Sequence, residues 1–271
     1  MIVETARAKL NLSLRVVGKR ADGYHLLDSL AAFADIGDEV GVDAAPAFAL
    51  TLDGPFGPAL EDHDNLVARA AREFAGRLGR APDVAIRLTK NLPVASGIGG
   101  GSADAAAALR ALSRLWNAPI PDDLPATLGA DVPVCVAQRA AWMSGIGEIV
   151  EPIDPPPHWG VVLVNPGVAL PTPKVFATRA GPFSAAHRYA PTLAALAEDR
   201  NDLEAAAIGL VPEIADVLAA LRRTGAAVVR MSGSGATCFA LFERRETAAN
   251  AAKALKSQAP PGWWIAEGAL A

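Results

Sequence analysis

The chain has 271 residues, 51% of them hydrophobic and 20% charged, which provides apolar side chains for a packed core and too little charge for a disordered chain. At roughly 150 residues per domain, one large or two modest domains are expected. The 25 Lys and Arg against 29 Asp and Glu give a net charge of −4 with no long run of either sign, which argues against general binding to nucleic acid or to an anionic membrane.

Two cysteines, Cys135 and Cys238, lie in apolar surroundings and read as buried core thiols, so no disulfide scaffold is needed and a reducing cytoplasm is the expected compartment. Met1 to Arg7 lack the apolar stretch of a secretory signal, and Arg139 and Pro166 interrupt the best candidates for a membrane span. In chain order, Leu10, Leu12, Leu14 and Val16 alternate with Asn11, Ser13 and Arg15, the period of a strand with one buried face. Gly18 to Gly23 supply turn chemistry before Tyr24-His25. A second extended stretch runs from Val40 to Leu52, and Asp64-Asn65 precede a helix from Leu66 to Leu78 that either side chain can cap. A short strand, Val84 to Leu88, leads into a glycine-rich segment, and an Ala-rich helix follows from Ala103 to Leu115.

Pro152 to Pro157 is the strongest break in the chain, since consecutive prolines continue neither a helix nor a central strand. It places a boundary between residues 1–155 and 156–271. The second part is expected to hold strands at Gly160 to Asn165, Ala227 to Met231, Ala236 to Phe242 and Trp263 to Glu267, and helices at Ile214 to Arg223 and Glu246 to Lys256. Such mixing of strands, hairpins and helices predicts an α+β fold rather than regular βαβ winding. Trp263-Trp264 reads as core packing and edge cover, and His63, His158 and His187 show no metal-ligand spacing.

The segment Leu92-Pro93-Val94-Ala95-Ser96-Gly97-Ile98-Gly99-Gly100-Gly101-Ser102 joins a predicted strand to a predicted helix. Glycines there let backbone amides point at a ligand, and the positive end of the following helix favours an anion such as phosphate. A Walker loop is excluded because no lysine precedes Ser102. The dinucleotide fingerprint, counted from Gly97 and Gly99, ends on Ser102 instead of glycine, which disfavours a nicotinamide-linked oxidoreductase. The charge balance likewise disfavours a noncatalytic RNA-binding protein.

Pro93-x-x-x-Gly97-x-x-x-Gly101-Ser102 resembles the phosphate loop of the GHMP kinases, which are ATP-dependent small-molecule kinases. Three further segments are similar to the family in the same order: Ala8 to Leu12 with Arg20 to His25, Leu128 to Val134, and Met231 to Ala236. The resemblance implies a two-domain fold, an N-terminal ribosomal-protein-S5-like domain and a C-terminal ferredoxin-like domain with the active site in the cleft between them. It implies ATP and Mg²⁺ as cofactors and Asp131 as the base that accepts the proton of the acceptor hydroxyl, with Lys9 holding that carboxylate and the acceptor oxygen in place. ATP phosphates would lie over Gly97, Gly99, Gly100, Gly101 and Ser102, with Pro93 in the loop, Lys90 near the nucleotide and the Ser102 hydroxyl on the metal. Asn65 either contacts nucleotide or caps its helix.

The member matched most closely takes a cytidine diphosphate ester of methylerythritol as acceptor. On that likeness Tyr24 and Phe176 offer aromatic faces to the pyrimidine, His25 pairs with its edge, and Asn11, Thr172, Gly233 and Ser234 line the acceptor side. A different alcohol, such as mevalonate or homoserine, is the rival acceptor within the family. No nucleic acid or membrane partner is implied, and the assembly is a monomer or a homodimer.

Overall fold

A computed structural model describes residues 1–60 and 65–271; Asp64 as a helix cap and His63 as a surface histidine fall outside the described residues. The chain divides into two compact units, Met1–Ala8 with Gly37–Val94 and Gly99–Gln138, and Lys9–Ile36 with Ala95–Ile98 and Arg139–Ala271. Two long strands, β1 (Ile2–Lys19) and β2 (His25–Ala44), contribute residues to both.

In the first unit the end of β2 pairs antiparallel with β4 (Val84–Thr89), and β3 (Ala49–Asp53) pairs parallel with β4. Between β3 and β4 the chain forms α1 (Leu66–Arg77), and after the glycine-rich segment come α2 (Gly100–Trp116), α3 (Leu124–Leu128) and α4 (Val132–Ala137). Ala103 to Leu109, Ala111 and Leu112 are buried, so this part of α2 is enclosed all round, and its small side chains let helix axes approach closely. Phe74 of α1 meets the Trp116 ring edge-on at 5.2 Å between centroids.

In the second unit the start of β2 pairs with β5 (Ala141–Gly145), which turns back into β6 (Ile149–Pro152). The remainder is β7 (Gly160–Asn165), α5 (Thr172–Thr178), α6 (Leu193–Ala197), α7 (Glu204–Leu210), α8 (Glu213–Arg222), β8 (Val228–Met231), β9 (Cys238–Phe242), α9 (Arg245–Gln258) and β10 (Trp264–Ala269). The four strands form an antiparallel sheet in the order β10-β7-β9-β8. Numbered within this sheet the order is 4-1-3-2, with helices after its first and third strands, which is the ferredoxin-like arrangement. All six residues of β7 are buried, as expected of a central strand covered on both faces. Its core includes Val162, Val164, Leu218, Leu221, Cys238 and Ala240.

Three expectations need correction. The stretch from Val40 to Leu52 is the end of β2 and all but the last residue of β3, interrupted after Ala44, where Pro46 has no amide to give to a ladder. The helix α2 begins at Gly100, three residues before the Ala run, because first-turn amides need no partner inside the helix and glycine is tolerated there. Finally β1 is buried on both faces: Lys9, Asn11 and Ser13 are as inaccessible as Leu10, Leu12 and Leu14. Cys135 and Cys238 are buried free thiols, and burial pushes the Cys238 thiol well up. No helix of the described residues is long and apolar enough to cross a membrane.

Candidate active site

The segment from Ala95 to Ile98 is held by its carbonyls. The oxygens of Ala95, Ser96, Gly97 and Ile98 accept hydrogen bonds from the Leu170 amide, the Thr237 amide, the Ser232 hydroxyl and the Lys9 amide, at 3.0 to 3.4 Å. With these acceptors committed, the segment presents no free carbonyl to repel an anion. Gly97 has φ +76° and packs so closely on the turn Ser232–Gly235 that an added Cβ would lie 2.6 Å from the Gly235 nitrogen and 2.7 Å from its oxygen. Only glycine satisfies both the left-handed backbone and this approach.

The next residue but one, Gly99, also has positive φ and is the N-cap of α2, and no side chain caps this 17-residue helix. Its first-turn amides and dipole are therefore available to an anion from Gly100, Gly101 and the half-buried Ser102. Pro93 is buried at the loop entrance. Asn65 is the N-cap of α1, where its side-chain oxygen accepts from the Val67 amide at 2.8 Å, so the capping alternative describes that oxygen.

Lys90 lies inside the first unit, 2% exposed. Its ammonium donates to Asp104 Oδ2 at 2.8 Å and to Asp38 Oδ2, and a Cβ on Gly100 would stand 3.0 Å from its Nζ. One ammonium between two carboxylates leaves an excess negative charge. The carboxylates accordingly hold the Lys90 ammonium above its ordinary range despite burial. Burial, with the Asp38 charge beside it, pushes Asp104 up to about 8 against the opposing pull of Lys90, and Asp104 Oδ1 has no hydrogen-bond partner. Sequence reasoning placed Lys90 near the nucleotide but missed Asp38 and Asp104.

Asp131 is the N-cap residue of α4, half-buried, and makes no side-chain capping bond. The far end of α4 is fixed by Arg110 of α2, which donates to the Cys135 carbonyl at 2.9 Å and pairs with Glu4.

Lys9 belongs to the second unit and Asp131 to the first. Lys9 is 3% exposed, so it is no solvated strand lysine. Two residues on, the Asn11 amide donates to Ser232 Oγ at 3.1 Å, and Asn11 Nδ2 donates to Ser29 Oγ at 2.8 Å. Ser29 spends its own proton on the Ser13 carbonyl, which leaves it only an acceptor for Asn11 and so orients the carboxamide with its oxygen away from Ser29. An added Cβ on Gly233 would stand 3.2 Å from that oxygen.

Ser234 Oγ lies 2.8 Å from Thr172 Oγ1. Thr172 and Phe176, four apart on α5, share a helix face, and the Phe176 ring stacks on His25 at 5.2 Å and 23°. Burial, then the charges of Lys19 and Arg179, lower the His25 pKa and keep its imidazole neutral near pH 7. Asn11, Gly233, Ser234 and Thr172 are thus brought together with the His25–Phe176 pair in one unit, whereas Tyr24 is 60% exposed with its ring outside that stack. Asn201 holds the turn from behind, donating to the carbonyls of Met231 and Gly233 at 2.8 Å each. Ser29, Ser232 and Asn201 were missed from sequence, although Ser232 sits within the glycine turn that drew attention to Gly233.

A glycine loop entering an uncapped helix, with a second glycine turn beside polar and aromatic side chains, defines a small-molecule phosphotransferase rather than a dinucleotide-binding enzyme. Residues 65–143 match the family described as GHMP kinases N terminal domain, and residues 185–261 the family described as GHMP kinases C terminal. The chain belongs to the GHMP kinases, and use of ATP follows from that membership. Among its curated relatives are proteins named 4-diphosphocytidyl-2-C-methyl-D-erythritol kinase: that of Cereibacter sphaeroides (strain ATCC 17025 / ATH 2.4.3), 52% identical over 96% of both chains, and that of Paracoccus denitrificans (strain Pd 1222), 52% identical over 99% of this chain and 96% of the relative. A crystal structure of 4-(cytidine 5'-diphospho)-2C-methyl-D-erythritol kinase superposes with a TM-score of 0.83, at 36% identity over 99% of this chain and 98% of the other. Homoserine kinase from Cytophaga hutchinsonii shares the fold, with a TM-score of 0.72 at 19% identity over 99% of this chain and 94% of the other.

Proposed function

We propose that the chain transfers the γ-phosphoryl group of ATP to the 2-hydroxyl of 4-diphosphocytidyl-2-C-methyl-D-erythritol, giving the 2-phosphate and ADP in the methylerythritol phosphate route to isoprenoid precursors. The observation that carries this reading is the likeness, along almost the whole chain, to relatives bearing that kinase's name. Residues 1–155 carry the nucleotide loop and the base, and residues 156–271 complete the acceptor side. Two buried free thiols suit a reducing cytoplasm, where the protein acts as a monomer or homodimer.

Phosphoryl transfer passes through a loose transition state, so the protein's contribution is positioning, charge stabilisation and proton acceptance. The triphosphate lies over Gly97 to Ser102, where bonded carbonyls and uncapped helix amides favour an anion. Asp131 takes the proton of the acceptor hydroxyl, and Lys9 steadies the oxygen. Asn11, Thr172 and Ser234 bind the polyol part, Gly233 allows its close approach, and Phe176 and Tyr24 offer faces to the cytosine. Neutral His25 offers a ring nitrogen to the base edge.

The donor set suits a Mg²⁺ ion anchored mainly by phosphate. Among the described residues no three His, Cys, Asp or Glu side chains form a metal cluster; the Ser102 hydroxyl in the first turn of α2 would hold the ion, together with phosphate oxygens and water. When bound, the ion neutralises phosphate charge. Incubation with ATP, Mg²⁺ and a panel of acceptor alcohols tests the reading. ADP release with the cytidyl diphosphate ester alone supports it, and phosphorylation of mevalonate or homoserine instead refutes the acceptor.

A further inference from the structure

The buried ion cluster of the first unit touches both ends of the glycine-rich loop. At the entrance, Asp38 Oδ1 accepts the amides of Asn91 at 2.5 Å and Leu92 at 2.8 Å. At the exit, Lys90 reaches Asp104 in the second turn of α2. The other oxygen of Asp38 closes the circuit on Lys90. The root of the loop is fixed as well, since the Lys90 amide donates to the Asp53 carbonyl and its carbonyl accepts from the Phe56 amide. All three side chains are almost wholly inaccessible, so solvent does not screen the pairing of Lys90 with Asp38, and removing either partner strands a buried charge.

We propose that Asp38, Lys90 and Asp104 are positioning residues that clamp the two ends of the loop and so set its amides and the first turn of α2 for the nucleotide's phosphates. The inference rests on the phosphate-site reading above and assigns Lys90 a role inside the protein rather than on the phosphates. Fixing the ends leaves the intervening glycines one geometry in place of many, and binding energy is not consumed in ordering them.

The test compares wild type with Asp104→Asn and with the triple variant Asp38→Asn, Lys90→Met, Asp104→Leu. The triple variant removes every charge while the carboxamide oxygen introduced by Asp38→Asn can still accept the two loop amides, and replacement of a buried ion cluster by apolar groups is often neutral for stability. Asp104→Asn, a smaller change, keeps the test decidable if the triple variant does not fold. Hydrogen exchange without nucleotide should be faster at the amides of 99–103 in the variants. The Kd for a nonhydrolysable ATP analogue with Mg²⁺ should rise about tenfold or more, as misplaced positioning groups do, while the KM for the acceptor stays within about twofold. Unchanged exchange in a folded variant overturns the clamp. Faster exchange with unchanged nucleotide affinity overturns its link to phosphate binding. Should wild type itself bind no ATP analogue, the phosphate-site reading falls, and the exchange comparison still decides whether the cluster holds the loop.

Discussion

Replacing Gly97 by alanine adds one methyl group at a tight backbone-to-backbone contact of the second unit. The residue has φ +76°, and an L-residue held in the left-handed region costs about 1–2 kcal/mol. The new Cβ would lie 2.6 and 2.7 Å from the nitrogen and oxygen of Gly235 and would also press on the Ser232 carbonyl. Every one of these atoms is backbone, so no side chain can swing away. The turn that must yield is pinned by Asn201 and by its own Gly235–Ser232 bond. Overpacking of this kind adds about 1–3 kcal/mol, and a shift of the loop also weakens the bond from Ser232 to the Gly97 carbonyl. The sum, about 2–5 kcal/mol, is a large part of a typical folding free energy, and at about 2–4 °C per kcal/mol for a chain of this size it lowers Tm by about 10 °C. Gly76→Ala is the matched control: Gly76 lies in α1 and its added Cβ meets nothing within 4 Å, so alanine should stabilise by about 0.5–1 kcal/mol. Urea titration and thermal unfolding of both variants, with turnover measured in parallel, decide the matter. Gly97→Ala unfolding within about 0.5 kcal/mol of wild type, near the ordinary scatter of harmless substitutions, would show that the loop does not depend on this contact.

Asp131→Asn should lower kcat by about 10²- to 10⁴-fold, the usual worth of a positioned base, with the fold intact because the carboxamide matches the carboxylate in size and shape and keeps an acceptor oxygen. Turnover near that of wild type would remove Asp131 from the proton transfer. His25 should titrate with a midpoint below 6.5, because burial comes first and the charges of Lys19 and Arg179 add to it in lowering its pKa. The folded protein then takes up this proton less readily than the unfolded chain, so the His25 contribution to stability declines as pH falls below about 6.5 toward the folded midpoint. Acceptor affinity declines through the same range as the ring gains its charge. Proton NMR of the imidazole follows the midpoint, which Arg179→Ala should raise; a wild-type midpoint above 6.5 contradicts the geometry.

What was readable in the sequence was whatever local pattern decides. Strand β7 stands out as an apolar run after prolines, the glycine loop announces a strand-to-helix turn, and the core role of both cysteines follows from their neighbours. Strand β2 was not readable ahead of Val40, and three carboxylates explain why. Asp28, Asp35 and Asp38 interrupt an otherwise apolar stretch, and read alone they suggest a solvated loop. In the structure each is matched by groups remote in sequence. Asp28 accepts from the His187 amide and pairs with Arg188, Asp35 accepts from the Ala269 amide and pairs with Arg245, and Asp38 binds Lys90 and two amides beyond it. Asp28 and Asp38 are buried, and a buried carboxylate is tolerated only with such partners, which no window along the chain contains. The same physics misdirects the reading of Lys90. A lone lysine before a phosphate loop suggests a cation for the ligand until Asp38, 52 residues away, supplies the counter-charge that draws it inside. Local periodicity therefore assigns elements wherever one face meets solvent, and fails where both faces are buried and charge is balanced over a distance.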